Sequence, residues 1–137
     1  MIIPYRTFPG DKRLVYRPII EVKLKLNHKT IPIWAVIDSG ADKTMINKKL
    51  GERLGYDFVT NKPTSTARGI SGQPENVWDS KIDLEVDGFT GTFASDVAYM
   101  KTDNFGVLLG HIGFFEFFDI KFQTAQNQFE IELAKKS

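Results

Sequence analysis

An aspartate at the end of an apolar run is the residue best placed to do chemistry in this sequence. Asp38 directly follows Ile31–Ile37, and Ser39, Gly40 and Ala41 come after it. A carboxylate delivered by a buried strand is partly desolvated, so its affinity for a proton can be tuned for acid–base work. The chain has no cysteine, which excludes a thiolate nucleophile and a Cys-ligated zinc site. Asp38 is therefore the candidate general acid or base.

Two glycine-containing segments farther along the chain could complete a site around Asp38. The first is a glycine-punctuated turn that contains Gly69, Ile70, Ser71 and Gly72. The second is a step of two apolar residues and a glycine, made of Leu108, Leu109 and Gly110. Each part also has a simpler interpretation, because Asp-Ser-Gly shapes many tight turns and a glycine-rich stretch is often an ordinary surface loop. The order of the three segments, more than any one of them, favours a functional site.

The elements that must position these residues are mostly strands. Apolar and charged residues alternate over Ile19–Leu26, Lys81–Val86 and Phe129–Leu133, which is the period of a half-buried strand. Ile31–Ile37 is almost wholly apolar, so we expect a strand that is buried on both faces. Phe89–Tyr99 is a further strand candidate. The pattern predicts an all-β domain with one or two short helices.

One of these helices is expected after the Asp38 loop. Apolar residues recur there at close to helical spacing: Met45, Ile46, Leu50 and Leu54. Gly55 stands where a helix of this length would end. The aromatic stretch Gly113–Phe118 predicts a second short helix or a turn, with its phenylalanines in the core.

Composition and charge exclude several classes of function. The chain has 137 residues, enough for one domain that buries a core without disulfides or metal. Its 18 Lys and Arg nearly balance its 17 Asp and Glu, so no net field draws it to nucleic acid or an anionic membrane. His28 and His111 are too few and too far apart for a site of three or four ligands, and we expect no metal.

No membrane association is expected either. The longest apolar runs fall short of the roughly 20 residues needed to cross a bilayer. Residues 1–18 offer no continuous apolar core for a signal peptide, because prolines and charges interrupt them. We therefore expect a soluble cytoplasmic protein.

With its motifs in this order and spacing, the sequence resembles the retroviral-type, or retropepsin-like, aspartic proteases. That family has single-domain bacterial and archaeal members as well as viral ones. Its pattern is a strand, Asp-Thr/Ser-Gly-Ala, a glycine-rich flap, and two apolar residues with a glycine that lead into a short helix. The resemblance covers residues 19–133. It implies a small closed-barrel-like acid protease fold over residues 19–137, an N-terminal arm at 1–18, and a peptide or protein substrate.

The resemblance also implies a mechanism and a homodimer. Two carboxylates that share one proton supply both the base and the acid for hydrolysis of an amide by water. The chain has a single Asp-Ser-Gly, so the second carboxylate would be the partner's Asp38, related by a two-fold axis. The expected activity is that of an aspartic endopeptidase without a cofactor.

Neighbouring residues take roles through the same resemblance. Ser39 would hydrogen-bond across the dyad, Gly40 would let the backbone approach the substrate, and Ala41 would keep that wall small. Gly69–Gly72 would form the flap, with Ile70 over the bound peptide.

The second loop, Leu108–Gly110, departs from the viral pattern at its next residue. Viral members commonly have an arginine there, paired with the acid that follows Asp-Thr-Gly-Ala. Here His111 and Asp42 occupy those two places. A hydrogen bond between them would be weaker than a bidentate arginine pair.

Two other classes of function stay open. The same fold could serve as a non-catalytic peptide-binding or dimerisation module in which Asp38 is structural. A nucleic-acid binder of the small-barrel type fits the β content, but the sequence lacks the basic face interleaved with aromatics that such binders use.

Overall fold

The computed structural model describes residues 1–8, 15–68 and 72–135. Within those ranges the chain forms ten strands: β1 (Ile2–Pro4), β2 (Ile19–Leu26), β3 (Lys29–Ile37), β4 (Thr44–Asn47), β5 (Ser65–Arg68), β6 (Pro74–Val86), β7 (Phe93–Met100), β8 (Val107–Leu109), β9 (Phe118–Gln123) and β10 (Gln128–Leu133). One α-helix, α1 (Lys48–Arg53), and a 3₁₀ turn over Thr124–Gln126 complete the described elements. The prediction of an all-β fold with one or two short helices is confirmed.

Six of the strands close into a barrel. Their order is β2-β3-β8-β4-β7-β6, and a further pairing of β2 with β6 joins the two ends of the sheet. Closure removes the unpaired edges that an open sheet would expose. β5 lies outside this ring and pairs only with the first part of β6, from Ser65 opposite Val77 to Arg68 opposite Pro74. The predicted closed-barrel-like architecture is confirmed.

The β2–β3 hairpin shows how the alternating pattern builds the wall. Val22 and Leu24 are buried while Lys23 between them is exposed, so β2 turns one face to the core. The two strands pair antiparallel from Ile19 opposite Val36 to Leu26 opposite Lys29. Asn27 in the turn has a φ of 56°, the left-handed conformation that asparagine tolerates better than most residues.

β3 corrects the prediction of a strand buried on both faces. Ile31, Ala35 and Ile37 are buried, but Trp34 keeps 38% of its surface exposed. The Arg6 guanidinium lies 4.4 Å from the centre of the Trp34 ring and covers part of it. The outer face of β3 therefore tolerates an apolar residue because a cation packs on it.

The predicted helix exists but begins later than its apolar spacing indicated. Met45 and Ile46 belong to β4, which pairs parallel with β7 and antiparallel with β8. Asn47 then caps α1, since its side-chain oxygen accepts a 2.8 Å hydrogen bond from Lys49 N–H. The predicted end is right: Gly55, with a φ of +87°, follows the last turn.

A second, three-stranded sheet holds the two ends of the described chain together. Its order is β1-β10-β9, with Ile3 opposite Phe129 and Phe129 opposite Phe122. Beyond β1, Arg6 pairs with Arg17. Residues 2–6 of the predicted N-terminal arm thus pack on the folded body, while residues 9–14 lie outside the described residues.

Aromatic side chains fill much of the core between the two sheets. Phe114, Phe118 and Phe129 are fully buried, and the Phe114 and Phe118 rings stack with centroids 4.9 Å apart. The stretch Gly113–Phe118 is a series of turns that runs into β9 rather than a helix. Of its four phenylalanines, which the sequence predicted to be in the core, Phe114 and Phe118 are buried there, and Phe115 and Phe117 pack against it while partly exposed.

The Phe129–Phe122 pair provides a test of this core. Phe129 has no exposed surface, whereas its neighbour Phe122 is 37% exposed. We expect Phe129→Ala to lower the free energy of unfolding by about 3–5 kcal/mol, because it removes the burial and leaves a cavity. Phe122→Ala should cost clearly less. Urea unfolding of both variants measures the difference, and equal losses would contradict this description of the core.

Candidate active site

Strand β3 delivers Asp38 to the end of the barrel wall. Val36 and Ile37 pair parallel with Leu108 and Leu109 of β8, and the Asp38 N–H donates to the Leu109 carbonyl at 2.9 Å. Asp38 itself is half-buried. Asp38 is therefore held at the end of β3, where the strand leaves the core, as the sequence predicted.

The loop after Asp38 turns back on the carboxylate. The Gly40 N–H donates to Asp38 Oδ1 at 2.9 Å, and the Ala41 N–H donates to the Asp38 carbonyl at 3.1 Å. A Cβ added at Gly40 would lie 3.2 Å from Asp38 Oδ1, which is tighter than ordinary contact. Backbone donors thus orient the carboxylate, and the small residue lets them approach it.

The predicted second loop packs directly against the first. The His111 N–H donates to the Ala41 carbonyl at 3.0 Å, and the Ile112 N–H donates to the Asp42 carbonyl at 2.9 Å. A Cβ on Gly110 would fall 2.6 Å from the backbone oxygen of Ala41. Glycine is required at residue 110 because the two backbones come this close, and the structure brings the two predicted segments into one site.

The His111 ring does not form the hydrogen bond to Asp42 that the resemblance to viral members suggested. Its Nε2 lies 2.7 Å from the Ser39 carbonyl oxygen and donates to it, and its ring stacks on Phe115 with centroids 4.9 Å apart. The His111 side chain is therefore hydrogen-bonded to the Ser39 carbonyl and not to the Asp42 carboxylate. Ser39 itself is exposed.

Two buried hydroxyl groups form hydrogen bonds to the backbone of the second loop. Thr44 Oγ1 accepts a 3.2 Å hydrogen bond from the Gly110 N–H, and Ser95 Oγ donates to the Gly113 carbonyl at 2.6 Å. Both side chains are almost fully buried. A buried polar group is stabilising only when it is paired, so these two residues fix the loop. Sequence reasoning missed them, because a threonine and a serine inside strand patterns give no signal of their partners.

A cleft of about 560 Å³ opens beside Asp38. Besides Asp38 its lining includes Phe8, Arg17, Val36, Asn104, Phe105 and Leu108. The cleft is therefore mixed in character, with aromatic and aliphatic walls and polar groups near the carboxylate. Phe105 could have been found from its place just before Leu108. Phe8 and Arg17 could not, because the pairing of Arg6 with Arg17 brings their segment to the site.

The predicted flap corresponds in part to the β5–β6 hairpin. Gly72 has a φ of +74° and open space around it, which fits a turn that favours glycine. Gly69, Ile70 and Ser71 lie outside the described residues. The hairpin arms themselves are paired, so a hairpin stands where the sequence predicted a loop or hairpin.

An ion pair that the sequence gave no reason to expect joins the Asp38 loop to this hairpin. Lys43 Nζ donates to Asp79 Oδ1, and Thr64 Oγ1 lies 2.7 Å from Asp79 Oδ2. The Lys43 hydrogen bond and then the Thr64 hydrogen bond hold the pKa of Asp79 below its usual value. The pair depends on the register of β6 against β7, which local sequence does not determine.

Two further features concern metals and membranes. Over the described ranges, no three His, Asp or Glu side chains are grouped so that they could hold a metal ion. None of the helices in the described part of the chain is long and apolar enough to cross a membrane.

Comparison with known families gives a match that spans the site. A family model described as aspartyl protease matches residues 22–111. That range contains the Asp38 loop, the β5–β6 hairpin and the Leu108–Gly110 step.

Solved structures share the fold. The crystal structure of a retropepsin-like aspartic protease from Rickettsia conorii has a TM-score of 0.65 and 18% sequence identity, and the match covers 96% of this chain and 97% of that chain. The EIAV protease complexed with the inhibitor HBY-793 has a TM-score of 0.54 and 15% identity, with 77% and 88% covered. At such low identities these likenesses concern the fold.

A match to a curated protein is partial. A Thermococcus onnurineus (strain NA1) protein named "Putative adenylate kinase" is 36% identical over 76 residues, which are 56% of this chain and 38% of that protein. The chain thus spans well under two thirds of that relative's length. The sequence has no Gly-x-x-x-x-Gly-Lys-Ser/Thr segment, the loop that cradles nucleotide phosphates.

The candidate site and the family match cover the same part of the chain. An Asp-Ser-Gly-Ala loop leaves a buried strand, a Leu-Leu-Gly step packs against it, and a closed barrel carries both. The matching family model spans more than half of the sequence. The chain belongs to the aspartyl protease family and has the retropepsin-like fold.

Proposed function

We propose that this protein is an aspartic endopeptidase that works as a homodimer, with one Asp38 from each subunit. The observation that carries the proposal is the Asp38 carboxylate itself. It is held by the Gly40 N–H at the mouth of a cleft, in a chain with a single Asp-Ser-Gly segment. A dyad of two carboxylates therefore needs two chains.

The chemistry follows from two carboxylates that share one proton. The ionised carboxylate takes a proton from water, and the oxygen of that water forms a bond to the carbonyl carbon of the peptide. The protonated carboxyl group gives its proton to the carbonyl oxygen. In the second stage the carboxyl group that was protonated by water gives its proton to the nitrogen, the other carboxylate takes a proton from a hydroxyl group of the tetrahedral carbon as the carbonyl reforms, and the carbon–nitrogen bond breaks. The dyad returns to its starting state with one proton.

The surface around Asp38 supports a second copy as the partner. Ser39 and Gly40 are exposed at the tip of the loop, where they are free to meet the same loop of another subunit. Ile112, which is bonded to that loop through Asp42, is a large apolar residue with 47% of its surface exposed. In an isologous contact the same patch of both subunits meets itself across a two-fold axis, so one small patch can serve both subunits.

The substrate in this proposal is an extended peptide that lies across the cleft. Phe105 and Leu108 offer apolar wall on one side of Asp38, and the β5–β6 hairpin would cover the peptide from above. Covering the peptide would exclude water other than the nucleophile and strengthen the electrostatic interactions within.

Asp38→Asn tests the catalytic role. The amide keeps the shape and can still accept from the Gly40 N–H, so the free energy of unfolding should change by less than about 0.5 kcal/mol. It cannot shuttle a proton, so cleavage of a peptide library at acidic pH should fall by about 10²-fold or more. Asp119→Asn, on the exposed face of β9, is the matched control and should cleave at the parental rate.

Near-full cleavage by a clean Asp38→Asn preparation would end the protease assignment. Parental protein that binds peptides without cleaving them would instead favour a peptide-binding module on the same fold.

A mixed dimer tests the shared site. Differently tagged parental and Asp38→Asn chains are expressed together, and the dimer that carries both tags is purified. Since the dyad needs both carboxylates, one asparagine should silence the whole dimer. Two independent sites would retain about half of the activity, because non-interacting sites add. Half activity, or unchanged specific activity in a demonstrated monomer, would rule out the shared dyad.

Gly72→Val tests the hairpin as a flap. Its φ of +74° is strained for a β-branched residue, and the space around it is open, so the change acts on the backbone and not on packing. We expect turnover to fall severalfold while the melting temperature changes little. Gly91→Val is the control, because Gly91 has a φ of +84° and equally open space in the turn between β6 and β7. Equal turnover in both variants would mean that the hairpin does not gate the site.

A further inference from the structure

A small polar network links the Asp38 loop to the base of the β5–β6 hairpin. Asp79 uses both carboxylate oxygens, Oδ1 toward Lys43 Nζ and Oδ2 toward Thr64 Oγ1. The Asp79 N–H also donates to Thr64 Oγ1 at 2.9 Å. Two side chains from separate parts of the chain, those of Lys43 and Thr64, therefore meet at the Asp79 carboxylate.

The two ends of the network belong to elements with different tasks. Lys43 is the fifth residue after Asp38 and forms a bridge with Ile112, so its backbone is part of the packed loops of the site. Thr64 immediately precedes β5, and its N–H donates to the Val77 carbonyl at 2.8 Å, which closes the base of the hairpin. The Lys43–Asp79 contact spans the gap between loop and hairpin.

The hairpin end of the network is the rigid one. Trp78, next to Asp79, is buried and its Nε1–H donates to the Asn61 carbonyl at 3.0 Å. The Tyr56 hydroxyl lies 3.5 Å from the Asp79 carbonyl, and the Tyr56 ring packs on Tyr99 with centroids 4.8 Å apart. The backbone around Asp79 is therefore held by the buried Trp78 and by Tyr56, and the Lys43 side chain reaches across from the loop.

The exposure of the pair indicates what it can and cannot do. The side chains of Lys43 and Asp79 are 30% and 42% exposed, so solvent screens the contact and it adds little to the stability of the fold. A contact of that size is a poor explanation for stability. It is large enough to bias the relative position of two elements that, within the described residues, are otherwise joined through the barrel wall.

We propose that Lys43 and Asp79 are positioning residues that hold the base of the β5–β6 hairpin in register with the Asp38 loop, so that a peptide bound between them is aligned with the catalytic carboxylates. The proposal rests on the proposed function. It adds a contact that fixes the position of the hairpin relative to the Asp38 carboxylate. Neither residue touches the reacting atoms in this role.

The electrostatics keep this contact in place in acid. Lys43 and then Thr64 lower the pKa of Asp79, and the Tyr56 hydroxyl is the other titratable group that faces it. A carboxyl group with a lowered pKa contributes its stabilisation above its ordinary pKa and loses it only as the pH falls through the lowered value. The pair thus stays charged to a lower pH than it would with a carboxyl group of ordinary pKa.

Lys43→Met removes the charge and keeps much of the length, while Lys43→Arg keeps the charge. The matched control is Lys81→Met, because Lys81 lies on the same strand as Asp79 and forms an exposed pair with Asp96 at 3.7 Å away from the site. Asp79→Asn and the double variant with Lys43→Met complete a double-mutant cycle. Each variant is examined as the full-length chain.

The activity measurement separates positioning from stability. We expect Lys43→Met to lower kcat about tenfold on a cleaved peptide, since a small misplacement of the aligned groups is costly, with little change in the melting temperature. Lys43→Arg should recover most of the rate, and the double variant should lose no more than either single one. Parental kinetics in Lys43→Met, additive losses, or the same loss in Lys81→Met would overturn the proposal.

Hydrogen exchange tests the coupling without any need for cleavage. The amides of Thr64 and Asp79 should exchange about threefold faster or more in Lys43→Met, because the base of the hairpin opens more often. They should be unchanged in Lys81→Met, and equal exchange in Lys43→Met and parental protein would overturn the coupling. If the parental protein cleaves no peptide while these amides respond as stated, the proposed function fails and the link between the elements stands.

Discussion

The close approach of two backbones at Gly110 is the constraint on which the rest of the site depends. Strand β8 has three residues, yet it pairs parallel with β3 and antiparallel with β4, so the chain must pass between the start and the end of the Asp38 loop. A side chain at residue 110 would meet the backbone of both Ala41 and Lys43 at 2.6 Å. Most bonds that fix the loops run between backbone groups, which any sequence can supply. A fold held mainly by backbone bonds can therefore be shared at 15–18% identity.

The parts of the fold that sequence could predict are those whose pattern is decided locally. β2 and β10 alternate because each has one face on the core, and Gly55 ends α1 because the chain needs a left-handed residue there. The start of the helix failed, since Met45 and Ile46 fit a helical spacing and a strand equally well. Their pairing with β7 and β8, which lie far along the sequence, decides for the strand.

The candidate site divides in the same way. The order of Asp38, the glycine-rich turn and the Leu108–Gly110 step could be recognised, because the covalent spacing of motifs is visible in a sequence. The contact of Lys43 with Asp79 and the entry of Arg17 into the cleft could not be, because each depends on the register of strands that meet only after folding. Trp34 shows why burial could not be predicted from hydrophobicity alone, since an apolar side chain can lie on the surface when a cation covers it.

Strand β6 has a consequence for how such a protein can change over time. It is continuous over Pro74–Val86; its far half is clamped by β7 and by β2, and its near end is paired only with β5. The hairpin is thus the free end of a barrel strand, and its length is not set by the barrel. Because side chains alternate with a period of two, adding two residues to each arm lengthens the hairpin and leaves every side chain on its original face. Adding a single residue turns the side chains of that arm to the opposite face. The arms of the hairpin can therefore lengthen in even steps, with the Asp38 loop unchanged.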